Sequence, residues 1–361
     1  MIKIFYDHQK FSTQLYGGIS RYFANLIQAI EELPDFDYLL GVLYSNNHYV
    51  KSKISNELIR KILKNPNYVY KLNQLYCREL LRRNNFDIFH PTYYDTYFFD
   101  RLKKPLVITI HDMTYERLPE YFWAEDSLTK LKRLNIERAD RIIAISETTK
   151  SDLLKYSEVD ESKIQVIYHG MDLKSPFVTN PIDNLPEKYL LFVGDRSGYK
   201  NFYLFLNAFK RVSAQHPDIQ VILTGGGSLK VAELEYLKLI KLDDKVSHKN
   251  VSDSELNFLY QNATCFIYPS LHEGFGLPIL EAFRAGCPMI LSDTECFKEI
   301  ASYAAIYFDA NSVDELTGKI ERIITEPSLQ NTLTADGAVR LKDFPLDNSL
   351  KRTLDVYKEL L

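Results

Sequence analysis

Two doubly wound α/β sheets are the architecture this sequence predicts, and three observations predict it. Short runs rich in Ile, Val, Leu and Phe recur along all 361 residues, and most are continuous rather than alternating, as strands buried on both faces are. Amphipathic stretches separate them, and strand–helix–strand repetition means parallel sheets covered by helices. The runs also divide six and six about residues 170–186, a stretch with three prolines and no helical or strand period, which reads as a linker.

In chain order the expected strands of the first half are 2–6, 38–43, 87–90, 106–110, 141–145 and 164–168. Those of the second are 189–193, 219–224, 246–249, 264–268, 288–292 and 305–308. Helical patterns fill the gaps, among them 19–31, 58–83, 127–139, 202–214, 254–261 and 313–324, and a last one covers 349–361. The expected domains are 1–170, a linker 171–186, a second domain 187–345, and a helix 346–361 that packs back on the first domain. Ligands of such sheets bind outside the carboxyl ends of the strands, so two sheets in one chain are expected to share a cleft lined by the loops that follow them.

Composition narrows the function. Lys+Arg number 44 and Asp+Glu 48, a net charge of -4, so the strongly basic footprint of a nucleic-acid-binding domain is missing. The four cysteines form no CxxC pair, which fits a reduced compartment and no disulfide scaffold. The start MIKIFYDHQKF is not a secretory signal, and no run of about 18 apolar residues occurs, so a cytoplasmic protein is expected.

The richest motif is PSLHEGFGLPILEAFRAG, residues 269–286, directly after a strand. Gly274 and Gly276 allow close backbone approach around Phe275, and Pro278 suits the first turn of a helix starting near Leu277, with Gly286 at its end. The free N–H groups of that helix start make an anion site suited to phosphate. Glu273 precedes the helix and Glu281 lies one turn inside it. Arg196 and Lys200 follow the strand at 189–193 and place two cations at a strand end. Gly17 and Gly18 open another helix, His111 ends the strand at 106–110, and Gly225 lies in a triple-glycine loop after the strand at 219–224. Ser252 reads as an N-cap with Glu255 in a capping box, or as part of a ligand contact.

These residues carry a resemblance. Glu273, seven intervening residues, then Glu281 resembles the E-x7-E signature of the GT4 family, which are retaining glycosyltransferases of the GT-B fold using nucleotide sugars. The resemblance spans nearly the whole chain: Tyr16–Tyr22 as the glycine loop, His111-Asp112, Ala144–Glu147, His169–Asp172, and Val193–Asn201 as the phosphate-binding segment. It implies that Arg196 and Lys200 take a metal's electrostatic role, so that neither a metal nor another cofactor is needed. It implies that His111 hydrogen-bonds the transferred sugar, that Gly17 and Gly18 lie near the diphosphate, and that Val251 contacts the base through its backbone. Glu273 would hold sugar hydroxyls and Glu281 ribose hydroxyls. The YGGISRYF and DRSGYKN segments are most similar to bacterial surface-polysaccharide mannosyltransferases, which makes GDP-mannose the first expectation for the donor and a glycan or lipid-linked molecule the acceptor.

Residues 51–104 hold twelve Lys/Arg against five Asp/Glu, with tyrosines interleaved. The stretch reads either as a solvated helix face or as a surface for an anionic membrane, which would place the enzyme at the membrane's inner face. Two rival readings fit the sequence less well. A Rossmann oxidoreductase requires GxGxxG after the first strand, which is not there. A non-catalytic sugar-nucleotide-binding module would have no need of Arg196, Lys200, Glu273 and Glu281 together.

Overall fold

A computed structural model describes residues 1–52, 63, 65–196 and 198–361. They fall into two units, residues 1–169 with 347–361, and residues 170–346. The stretch 171–186 therefore belongs to the second unit, and the helix Leu346–Lys358 to the first.

In the first unit the strands are β1 (Ile2–Tyr6), β2 (Phe36–Leu40), β3 (Ile88–His90), β4 (Val107–Ile110), β5 (Arg141–Ala144) and β6 (Ile164–Val166). All pair in parallel. The ladders β2-β1-β3 and β4-β5-β6 meet at the bridge Phe89–Leu106, giving the order 2-1-3-4-5-6. Both faces are buried. Phe5, Phe89, Ile108 and Ile142 pack into one apolar cluster, while Ile4, Tyr6, Ile88, Val107 and Ile143 pack into another, so alternate residues of each strand serve opposite layers. The helix Gly18–Glu31 covers the second face with Tyr22, Phe23, Leu26 and Ile30.

The second unit holds one six-stranded parallel sheet. Its strands are β7 (Lys188–Val193), β8 (Ile219–Thr224), β9 (Val246–Lys249), β10 (Cys265–Tyr268), β11 (Met289–Ser292) and β12 (Ile306–Phe308). The order 9-8-7-10-11-12 reverses direction between β7 and β10, and that switch point opens a crevice at the carboxyl ends of those two strands.

The strand at 38–43 is shifted: β2 begins at Phe36, set by pairing Ile2 with Phe36, and the chain leaves the ladder after Leu40. The helix expected over 58–83 is described from Pro66 to Arg83, with the Asn65 side chain capping Asn67 N–H. Lys53, Arg60, Lys61 and Lys64 of the basic stretch lie outside the described residues, as does Ser197.

The helix Leu346–Lys358 completes the first unit's core. The Tyr357 hydroxyl lies 3.0 Å from the Tyr6 hydroxyl and 2.7 Å from His90 Nδ1, all three buried. His90 Nε2 in turn lies 2.9 Å from Thr109 Oγ1 on β4, and Tyr22 reaches the same hydroxyl at 3.3 Å. Burial holds the His90 imidazole neutral, with its pKa lowered to about 3.

Candidate functional site

At the second unit's switch point, the loops after β7 and β10 are tied by Leu271 N–H donating to Tyr199 O at 2.8 Å. Lys200 Nζ meets Glu273 Oε1 at 2.5 Å, with the Tyr268 ring 5.8 Å from the ammonium. Burial alone would lower the Lys200 pKa, but the charge of Glu273 outweighs it and holds the ammonium above its usual value. The pair is only partly exposed, and Tyr268 hydrogen-bonds the same carboxylate, which pushes the phenol's pKa further up beyond what burial does.

The helix Leu277–Ala285 starts beside this pair. Gly276 is its N-cap with φ +89°, a left-handed conformation that glycine adopts without strain, and Pro278 stands in the first turn. The N-cap glycine has no side chain to accept from the first N–H groups, which adjoin the loop that carries Glu273. Leu277 is its first residue. Glu281 lies on the same helix, 3.4 Å from the Tyr260 hydroxyl. Phe275 turns into the core, edge-on to Phe344 at 5.9 Å, so its ring anchors the Gly274–Gly276 loop.

Arg196 is placed differently from the expectation of a cation facing phosphate. Its guanidinium is enclosed: Nε donates to Glu233 Oε1 at 2.9 Å, and the two Nη atoms donate to the carbonyls of Gly225, Gly227 and Ser228 at 2.9–3.1 Å. Both members of the ion pair are buried. Arg196 thus clamps the triple-glycine loop after β8, where a Cβ on Gly226 would stand 2.6 Å from Asp195 Cα. Sequence reading passed over Glu233, yet one signal was available: an acid in the first turn of the helix Val231–Ile240, just beyond a glycine run. Val251 is half-buried and immediately precedes Ser252, whose hydroxyl caps the helix Asp253–Asn262 reciprocally with Glu255.

The first unit gathers another set of groups. Gly17 is the N-cap of the helix Gly18–Glu31, but Gln14 Oε1 accepts Ser20 N–H at 3.2 Å, so a side chain already takes one of the first N–H groups. His111 stacks on His169 with ring centroids 6.1 Å apart, and Tyr22 stands edge-on to both. Burial, then the mutual effect of the two rings, lowers the His111 pKa well below the usual value, and burial lowers His169 to about 4. Both are neutral donors and acceptors at physiological pH.

Also unread in the sequence was the array after β1 and β3. Asp7 accepts from Thr92 N–H and Oγ1 at 2.8 Å, from Gln9 Nε2 at 2.8 Å and from the Tyr97 hydroxyl at 3.1 Å. Beside it, Lys10 Nζ lies 3.4 Å over the Tyr93 ring, its pKa lowered by burial to about 8. Among the described residues no group of three His, Cys, Asp or Glu side chains could hold a metal ion.

Residues 16–175 match the family described as Glycosyltransferase Family 4, and residues 180–339 the family Glycosyl transferases group 1. The chain is 26% identical to the O-antigen chain mannosyltransferase RfbU of Salmonella typhimurium, covering 85% of this chain and 87% of the relative. It is 25% identical to O-antigen chain mannosyltransferase B of Escherichia coli, covering 95% and 96%. Among solved structures, Anabaena HepE in complex with UDP and glucose superposes with a TM-score of 0.74 at 15% identity, covering both chains fully. Sucrose-phosphate synthase from Thermosynechococcus elongatus gives 0.73 at 18%, covering 100% of this chain and 99% of the other. These likenesses show the GT-B fold.

Proposed function

The chain belongs to the family-4, group-1 glycosyltransferases, and on that premise we propose that it transfers mannose, with retention of configuration and without a divalent metal, from GDP-mannose to a glycan or lipid-linked acceptor of surface polysaccharide. The observation that carries this reading is the Lys200–Glu273 pair beside the N-terminus of the helix Leu277–Ala285. A departing diphosphate gains negative charge as its bond to the sugar breaks. An ammonium and aligned backbone N–H groups stabilise that charge where it develops. The mannosyl donor is supported by the mannosyltransferase relatives.

The roles divide as follows. Lys200 takes the phosphates, and Glu273 holds Lys200 and sugar hydroxyls. Glu281 takes the ribose hydroxyls, and the Val251 backbone the base. Arg196 is a positioning residue that fixes the Gly225 loop. In the first unit, the neutral His111 imidazole hydrogen-bonds a hydroxyl of the transferred sugar, and Gly17 and Gly18 lie near the diphosphate and the acceptor. The bond from sugar C1 to the diphosphate oxygen breaks, the bond to the acceptor oxygen forms on the same face, and the acceptor's proton passes to the departing phosphate oxygen.

Among the described residues no helix is long and apolar enough to cross a membrane. We assign instead a reversible contact with the anionic inner face of the membrane. The helix Pro66–Arg83 supports it: Tyr68, Lys71 and Leu75 are exposed and share one face at helical spacing, while Arg82 on that face is paired with Glu79. Each basic residue near such a surface contributes about 1 kcal/mol, so binding should vanish at high salt.

The test is a ligand screen followed by turnover. GDP at 100 times its Kd should raise the unfolding free energy by about 2.7 kcal/mol, more than UDP or ADP at equal concentration. GDP-mannose should then be consumed in the presence of a chelator. Stabilisation by UDP alone would overturn the guanine assignment, and activity that requires added Mg²⁺ would overturn the metal-free one.

A further inference from the structure

The first unit exposes aromatic side chains that no step above uses, and two of them stand two residues apart in one connection. Trp123, the sole tryptophan, is 78% exposed, and Tyr121 is 42% exposed. Both lie in the connection from β4 to the helix Leu128–Arg138, which leaves the carboxyl end of β4 at His111. Tyr16, 56% exposed, follows β1 and stacks on His48 with centroids 5.0 Å apart. A large ring held in water costs solvation unless something covers it in use, and Tyr121 and Trp123 are exposed side by side in one braced loop.

The segment is held firmly. Phe122 stacks face to face on Tyr115 with centroids 3.7 Å apart. Turns closed by Tyr121 N–H to Leu118 O at 3.1 Å and by Asp126 N–H to Trp123 O at 3.0 Å fix the backbone on either side of the tryptophan. Its base is tied to the His111 neighbourhood by Lys132, buried, which donates to Glu116 Oε2 at 2.8 Å and to Asp112 O at 3.0 Å. Trp123 is thus presented on a braced loop that starts two residues beyond Asp112.

Charge decides what covers it. Glu120, Glu125 and Asp126 flank the two rings, whereas Glu116 is paired with Lys132 and Arg117 with Asp152. An anionic bilayer would be repelled by that loop. An uncharged pyranose is not, and its flat C–H face stacks on tryptophan and tyrosine rings while its hydroxyls remain in water. We propose that Trp123 and Tyr121 form a stacking platform for sugar rings of the acceptor glycan, set back from the ring that receives the new bond. This rests on the glycosyltransferase reading and adds to it that the acceptor is already a glycan of at least two sugars.

The single tryptophan makes the test direct. The full chain is titrated with α-linked mannotriose while tryptophan emission is recorded, and GDP binding is measured separately by calorimetry. A saturable shift of the emission with mannotriose is expected. Emission that shifts with anionic or neutral vesicles and not with mannotriose would overturn the proposal in favour of a membrane contact. In turnover, Trp123→Ala should raise the acceptor KM about fivefold, the factor that corresponds to roughly 1 kcal/mol of stacking, with the loss falling on KM rather than kcat. Trp123→Phe should recover most of it. An unchanged KM in Trp123→Ala, or a fall in kcat equal to the rise in KM, would overturn the platform. If wild type neither binds GDP nor consumes GDP-mannose, the donor reading fails. If it does both and the emission stays fixed, the platform alone fails.

Discussion

The carboxyl ends of the two sheets are furnished with opposite chemistry. After β7 and β10 stand a lysine–glutamate pair, glycine loops and an open helix start. After β1, β3 and β4 stand neutral imidazoles, tyrosines and a carboxylate, Asp7, that accepts from five donors. One end is suited to an ion that gains charge during reaction, the other to hydroxyl groups and sugar rings. The difference teaches that two sheets of the same class need not share a ligand type, because function resides in what the loops carry.

The comparison is sharpest within the second unit, where Arg196 and Lys200 leave the same strand four residues apart. Arg196→Ala should cost about 3–5 kcal/mol of stability, because it leaves Glu233 buried without its partner and releases three carbonyls. A denaturant titration measures this, and unchanged stability with lost nucleotide binding would return Arg196 to the phosphates. Lys200→Ala should instead act on chemistry, lowering kcat/KM by roughly 10²-fold or more, about 2.7 kcal/mol, with a smaller fall in melting temperature than Arg196→Ala. Near-normal kinetics would break the contrast between the two cations.

The first unit should be the acid-sensitive one. The folded-state pKa values of His90 and His169 are lowered to about 3 and about 4, below the unfolded value near 6.5, and His111 is lowered as well. Stability from these groups is complete above pH 6.5 and falls as the pH drops towards 4, because the unfolded chain binds protons that the folded one refuses. A loss on the order of 2 kcal/mol for each of His90 and His169 is expected between pH 7 and pH 5, with His111 adding in the same direction. Hydrogen exchange at both pH values localises it, and equal loss in both units would contradict the assignment. The smallest effect separates the two carboxylates. Glu281→Gln should weaken GDP binding about tenfold, whereas Glu273→Gln should impair turnover more than binding. Calorimetry on both variants decides.

Every expected strand is present because continuous β-branched and aromatic runs can be buried on both faces only in a parallel sheet. The helix start at Gly276–Pro278 was equally legible, since glycine and proline act through backbone angles that are local. The partner of Arg196 was not. It lies 37 residues downstream, and whether a guanidinium meets phosphate or glutamate is set by tertiary packing. The Asp7 array escaped for the same reason: its donors Gln9, Thr92 and Tyr97 come together only when β1 and β3 pair. Lys10 carries no local sign of its partner either, since the Tyr93 ring beneath its ammonium lies 83 residues on.

The helix that brings Tyr357 to Tyr6 and His90 has a consequence for synthesis on the ribosome. Residues 1–169 emerge first, yet their core lacks Leu354, Val356 and Tyr357 until the whole of the second unit has been translated. At about 5–20 residues per second that interval is roughly 10–35 s. Through it, the hydroxyl of Tyr6 and the imidazole of His90 face a groove without their partner, and an apolar strip lies open to other nascent chains. The first half of this protein is therefore the last to be finished, and its yield in the cell should depend on how well that strip is shielded while the second half is made.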